Sequence, residues 1–332
     1  MESISNGVED QLIEGLSFKL PPGSSYITDR RKCTFWASGS NVYKPESGTK
    51  VLRFLLNGDD GTWLDPSTIR VQFALRNNDS TLNKDLRPLG GPHLFFRRAR
   101  VMVGNQLAED ILDYNRVHEQ FFSLMPDNVR DNIDIEGFGY RWDDKQNKYG
   151  NNEWTTSTMP GVLSSSSMTV AFKPFLGLVM QPKLLPVKYA PIILELELVN
   201  SSLEPIITPG VVNTLLNPIA EFTTTNTSSN WQIENACIKA DCCTLDNQLN
   251  NEYTSHLLAG KALPIKYSTF INQQSSVSGK SFSIQVARAV SRLQKCFLSF
   301  YKTPTTPTII DKQAIKLYHP MSEVPSSIYV PP

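Results

Sequence analysis

Apolar and polar residues alternate along much of this chain with the two-residue period of a β-strand. Thr68 to Arg76 sets Ile69, Val71, Phe73 and Leu75 on one side, against Arg70, Gln72, Ala74 and Arg76. Ile192 to Val199 opposes Ile193, Glu195 and Glu197 to Ile192, Leu194, Leu196 and Leu198. Further strands are expected at Cys33–Ser38, Val51–Leu56, His93–Val103, Met168–Phe172 and Trp231–Thr244. Three more are expected at Ile265–Ile271, Ser281–Ala287 and Lys295–Tyr301; in the second, Phe282, Ile284 and Val286 alternate. Turn-forming clusters separate these runs, among them Asn57-Gly58-Asp59-Asp60-Gly61, Asn77-Asn78-Asp79 and Gly90-Gly91-Pro92.

Two segments change period. From Asp113 to Met125, Tyr114, Val117, Phe121, Leu124 and Met125 recur at spacings of three and four, with Asp113 as N-cap and Pro126 as stop. From Asn247 to Ala259, Leu249, Tyr253, His256 and Leu257 share a side, and Gly260 follows as a C-terminal cap. Both are expected to be short helices. The order is strands, helix, strands, then a Pro-, Thr- and Ser-rich joint from EPIITPG to TTTNTSSN, then strands, helix, strands again. That order predicts an all-β chain with short helices in loops, divided into an N-terminal arm (1–24), a first sandwich (25–205), a linker (206–229) and a second sandwich (230–332). Residues 127–167 are polar, carry Trp142 and Trp154, and are expected to form an exposed or functional loop.

Composition narrows the function. Lys+Arg and Asp+Glu both number 32, and the first fifteen residues hold four acids and no base. A sleeve for nucleic acid needs a basic excess or tail, so no specific nucleic-acid site is expected. The N-terminus lacks the basic and apolar regions of a signal peptide, and no apolar run reaches the roughly 18 residues that span a bilayer. Five cysteines without framework spacing are read as free thiols.

The candidate chemical motifs fail on geometry. Gly279-Lys280-Ser281 looks like the end of a phosphate loop, but Gln274 stands where the first glycine belongs, and a strand pattern follows instead of a helix. Cys237, Cys242, Cys243 and His256 are a conceivable zinc set. On a strand, however, Cys237 and Cys243 lie about 20 Å apart at roughly 3.3 Å per residue, and Cys242 points the other way. His118-Glu119 begins a metalloprotease-like helix, but Phe122 replaces the second histidine. Asp59-Asp60 and Asp143-Asp144 lack the spaced ligands of a calcium loop. Arg97, Arg98 and Arg100, beside Phe95 and Phe96, form the densest basic cluster. Alternation puts Phe96, Arg98 and Arg100 on one face and Phe95, Arg97, Ala99 and Val101 on the other, which suits an interface or an ion-pair role. No catalytic, cofactor or metal residue is therefore assigned.

The stretch from Trp231 to Tyr301 carries a resemblance. A strand ends in Thr244-Leu245-Asp246, a short helix follows, and then come Leu263-Pro264, Arg288, Arg292 and Leu293, and Phe297 and Phe300. This order resembles the second jelly roll of double-jelly-roll viral major capsid proteins, in particular those of polinton-like viruses, adintoviruses and virophages. The first half agrees through Phe95 to Gly104 and the helix with Phe121-Phe122. Together the matches cover most of residues 30–320.

The resemblance implies two jelly rolls in tandem and homotrimers that form pseudo-hexagonal capsomers of an icosahedral shell. It also implies contacts with neighbouring capsomers and with minor capsid or penton proteins. The chain would be a structural, non-enzymatic component of the virion capsid of a double-stranded DNA virus or virus-like element, made in the host cytoplasm. The tail after Trp231 is short for a full roll. The second sandwich is thus expected to be incomplete or completed by a neighbouring subunit, and the natural product to extend past Pro332. The alternative reading is a β-sandwich receptor- or carbohydrate-binding module, using Trp142 and Trp154. A metal-dependent jelly-roll enzyme ranks last, because the four histidines are scattered at 93, 118, 256 and 319.

Overall fold

The computed structural model describes residues 27–46, 49–59, 61–88, 90–139, 161–206, 227–276, 281–286 and 292–298. The expected arm at 1–24, most of the linker, Trp142, Asp143-Asp144 and Trp154 lie outside them.

The described residues are mostly β-structure with short helices. The strands are β1 (Ile27–Ser38), β2 (Val42–Tyr43), β3 (Val51–Leu56), β4 (Thr62–Asn77), β5 (Phe96–Val103), β6 (Gln106–Leu112), β7 (Ser167–Phe172), β8 (Ile192–Leu198) and β9 (Trp231–Leu245). The helices are α1 (Tyr114–Ser123), α2 (Asp127–Glu136), α3 (Gly177–Met180) and α4 (Asn247–Leu258), with a 3-10 turn at Pro92–Phe95. Hydrogen bonding runs β6-β5-β8-β3-β1-β9-β4-β7, and β2 extends the β1 side of β9. The path bends where only Ala37↔Phe54 and Ser38↔Arg53 join β1 to β3. This gives two four-stranded antiparallel sheets, β6-β5-β8-β3 and β1-β9-β4-β7.

The pairing is nested. β5 pairs with β6, β4 with β7, β3 with β8, and β1 with β9, as though one long hairpin had been rolled up. The pairs β5·β8 and β4·β9 close the turns of that roll. Eight strands in this order make a jelly roll. Its core forms where the inward faces meet. Phe73 of β4 packs edge-on against Phe96 of β5 with ring centroids 5.7 Å apart, and Phe96 stacks on Phe172 of β7 at 5.7 Å. The expected inward set Ile69, Val71, Phe73 and Leu75 is buried throughout.

The strand order corrects the expected division of the chain. Trp231–Leu245 does not open a second sandwich at residue 230. It is the last strand of the first one, paired with β1 on one side and β4 on the other. The expected linker at 206–229 therefore connects β8 to β9 within a single roll. Periodicity shows that a segment is a strand, but not which distant strand it joins. The strands expected at Ile265–Ile271, Ser281–Ala287 and Lys295–Tyr301 are also corrected: their described residues form no strand. A strand needs a neighbouring strand to take its backbone hydrogen bonds, and alternation alone does not supply one.

Among the elements that the pattern did not predict are β6 and α2. β6 reads QLAEDIL, with an acidic pair at its centre, and follows a tight turn at Gly104-Asn105, both with positive φ (54° and 67°). That is the backbone of a two-residue hairpin. Helix α2, DNVRDNIDIE, is too polar to show an apolar stripe. The two expected helices match α1 and α4. Asp246 caps α4 by accepting a hydrogen bond from the Gln248 N–H at 3.0 Å.

Candidate assembly surface

Three cross-strand rows cover the outward face of the β6-β5-β8-β3 sheet. The first is Val51–Glu197–Arg98–Leu112, and the second is Arg53–Glu195–Arg100–Asp110. The third is Leu55–Ile193–Met102–Leu107. A register shift between Phe96 and Arg98 creates this arrangement. The bulge turns Phe96 into the core with Ala99 and Val101, while Arg98 and Arg100 face out. The expected sharing of one face by Phe96, Arg98 and Arg100 is thus corrected, because a bulge breaks strict alternation. The arginines pair across strands: Arg100 with Glu195 at 2.8 Å, Arg53 with Glu195 at 3.6 Å, and Arg98 with Asp110 at 2.7 Å. Between two guanidinium groups, the Glu195 side chain is only 11% exposed.

A second surface forms where the chain leaves the roll. After α4, Gly260 takes a positive φ of 72° and the chain crosses the end of the roll. Glu109, buried on β6, anchors this strap. Its carboxylate accepts the Gly177 N–H at 2.9 Å and the Leu178 N–H at 2.7 Å, which caps α3, and the Thr269 hydroxyl at 2.9 Å. Tyr267 donates to the Ala108 carbonyl at 3.2 Å. Phe270 packs on Phe175 at 4.6 Å and on Phe121 at 4.8 Å. The strap lies so close to α3 that a Cβ at residue 177 would run into the Ser268 carbonyl oxygen, so this position requires glycine. Farther along, Val286, Leu293 and Leu298 are each more than 60% exposed.

The other sequence candidates are dispersed. On β9, Cys242 joins the core cluster, while Cys237 and Cys243 lie outside that cluster but are buried as well. No group of three or more His, Cys, Asp or Glu with metal-binding geometry occurs among the described residues. Burial pushes the Cys242 thiol up to about 12, helped by the neighbouring Cys33 thiol; burial also raises Cys237 and Cys243. A thiol held above its ordinary value is a poor nucleophile. Iodoacetamide on the native protein is therefore expected to label exposed Cys296 first, and Cys237, Cys242 and Cys243 only on unfolding. Rapid native labelling of β9 would contradict this burial.

His118 and Glu119 lie on α1, and both are buried. Glu119 meets His93 at 2.8 Å, and the His118 ring stands edge-on to His93 with centroids 3.8 Å apart. Tyr114 at the start of the same helix accepts the Phe175 N–H at 2.9 Å. These contacts dock α1 on the roll. The sequence reading gave no role to Glu109 or to the His93–Glu119 pair, which is formed by residues distant in sequence. Asp59 is exposed and faces Arg31 at 3.6 Å. Ser281 lies in a segment without regular structure.

No family model matches the sequence, and no curated protein matches it. Solved structures similar to it include the following three. VP54 of PBCV-1, fitted into a cryo-EM reconstruction of the virophage Sputnik, is 11% identical over 71% of this chain and 47% of that chain, with a TM-score of 0.40. A quasi-atomic model of the PBCV-1 capsid is 13% identical over 71% and 47%, with a TM-score of 0.42. The cryo-EM structure of the Sputnik virophage is 10% identical over 70% and 52%, with a TM-score of 0.44. The chain spans about half the length of the chains it matches. A likeness this loose carries no function; the strand order stands without it.

Proposed function

We propose that this protein is a structural shell subunit, a viral major capsid protein built of two jelly rolls in tandem. The first roll comprises β1 to β9, and the second begins beyond α4. The observation that carries this reading is the nested eight-strand order closed by β9 and followed directly by a capped helix. The stretch from Trp231 resembles the second jelly roll of those capsid proteins, whereas here it closes the first, so the strand order and not that resemblance carries the reading. Jelly rolls also serve lectins and cupins. The balanced charge and the exposed apolar residues after α4 favour a subunit that covers them with its own second roll or with a neighbour.

On this reading the protein acts without catalysis or cofactor. It forms homotrimeric, pseudo-hexagonal capsomers of an icosahedral shell, in the virion of a double-stranded DNA virus or virus-like element. Neighbouring capsomers and minor capsid or penton proteins are its partners, and synthesis takes place in the host cytoplasm. Multi-angle light scattering is expected to give about three times the 37.2 kDa chain mass, and negative-stain electron microscopy three-fold capsomers or particles. A strict monomer at high concentration would count against the shell reading.

A further inference from the structure

The three rows on the outward face of the β6-β5-β8-β3 sheet have a symmetry of their own. Read from β3 to β6, the middle row is positive, negative, positive, negative: Arg53, Glu195, Arg100, Asp110. Reversed, it becomes its own complement. The first row is apolar, negative, positive, apolar, and it too complements its reverse. The third row is apolar throughout.

We infer that this face is a contact between two copies of this chain, related by a two-fold axis parallel to the strands and passing between β8 and β5. That axis exchanges β3 with β6 and β8 with β5, and keeps each row opposite itself. Arg53 then meets Asp110 of the other copy, and Glu195 meets Arg100. In the first row Glu197 meets Arg98, and Val51 meets Leu112. In the third, Leu55 meets Leu107. A two-fold contact must be self-complementary in just this way. An axis across the strands fails, because it lays Arg98 and Glu197 on Met102 and Ile193 and leaves charges against apolar groups.

The chemistry favours a second copy over other occupants. Three arginines balance three carboxylates, so the face offers no net attraction to a polyanion. Its apolar side chains are accessible: Leu55, Leu107 and Leu112 are 47%, 60% and 46% exposed. Four strands about 4.8 Å apart and six residues long cover about 400 Å2 per copy. That is half a standard interface, which fits a weak contact repeated between copies. The inference does not rest on the shell reading.

Thiol cross-linking of the full chain with a short bismaleimide, which reaches between facing sheets about 10 Å apart, tests it in a Cys296→Ser background that removes the exposed thiol. Leu55→Cys and Leu107→Cys are made as separate proteins, mixed and treated with the cross-linker. The mixture is expected to form 55–107 dimers, identified by peptide mass spectrometry. Each protein alone is expected to give at least about tenfold less, because like positions sit three strand spacings, about 14 Å, apart across the axis in addition to the gap between the sheets, beyond the reach of the short cross-linker. Adding Leu112→Lys to both proteins buries a charge against Val51 and is expected to cut the yield by more than about tenfold. Its thermal unfolding should stay unchanged, since Leu112 is exposed.

Equal yields from mixed and single proteins would overturn the inference, as would no cross-link at any concentration; the latter is the result if another segment covers the face. Trimers or particles without the 55–107 link would overturn this contact and leave the shell reading standing. The link without trimers would do the reverse.

Discussion

A chain ended after residue 229 is expected not to fold, whereas one ended after residue 262 is expected to fold cooperatively. The difference is β9. It lies between β1 and β4 and supplies both with backbone partners, from Trp36↔Cys237 to Ile27↔Leu245 on one side and from Asn77↔Trp231 to Thr62↔Thr244 on the other. Without it, the β1-β9-β4-β7 sheet separates into β1 and a β4-β7 pair.

β9 also carries Trp231, Ile233, Ile238 and Leu245 into buried positions. Trp231 meets Phe95 edge-on at 4.8 Å and donates its indole N–H to the Ser202 carbonyl at 2.8 Å. At about 1.5–3 kcal/mol for each large apolar side chain, the loss reaches about 10 kcal/mol. That is comparable with the whole stability of a typical domain, about 5–15 kcal/mol. Circular dichroism and urea unfolding would distinguish the two chains. A sharp, two-state transition in the shorter one would mean that the roll closes without β9, and that a boundary in 206–229 separates two independent units.

Replacing Glu109 by alanine is expected to cost about 3–5 kcal/mol and to release the strap. The carboxylate takes three hydrogen bonds, and two of its donors are the first N–H groups of α3. Hydrogen bonds to a charged acceptor are each worth about 1.5–3 kcal/mol, and the abandoned donors stay buried. Thr269 loses its partner at the same time, so Phe270 is held on Phe121 and Phe175 by packing alone. Glu109→Gln is expected to cost about half as much, because the amide oxygen still accepts while its NH2 faces a donor. Urea denaturation gives the energy, and limited proteolysis within 263–276 reports the strap. A cost below about 1 kcal/mol with the strap still protected would remove Glu109 as the anchor.

By itself, the sequence determined what depends on near neighbours. The alternation of Ile69, Val71, Phe73 and Leu75, the bounds of β3 and the three-and-four spacing of α1 are set within a few residues, so they were legible before any fold was known. The all-β class followed from the same local signals. The tertiary structure decided everything that depends on distant partners. Trp231–Leu245 reads equally well as the first strand of a second sandwich or the last strand of the first, and only pairing with β1 and β4 selects the latter.

The bulge at Arg97 shifts every later side chain of β5 to the opposite face. No feature of FFRRARVMV announces it, because the bulge is set by register with β8. Without that shift the three complementary rows are invisible in the sequence. Glu109 sits in a polar-looking QLAEDIL and is buried because α3 and the strap, 68 and 160 residues away, bring three donors to it. Phe282, Ile284 and Val286 show the converse: clean alternation in a segment whose described residues form no strand. A strand's backbone groups are satisfied by other strands, and that pairing lies outside the reach of local periodicity.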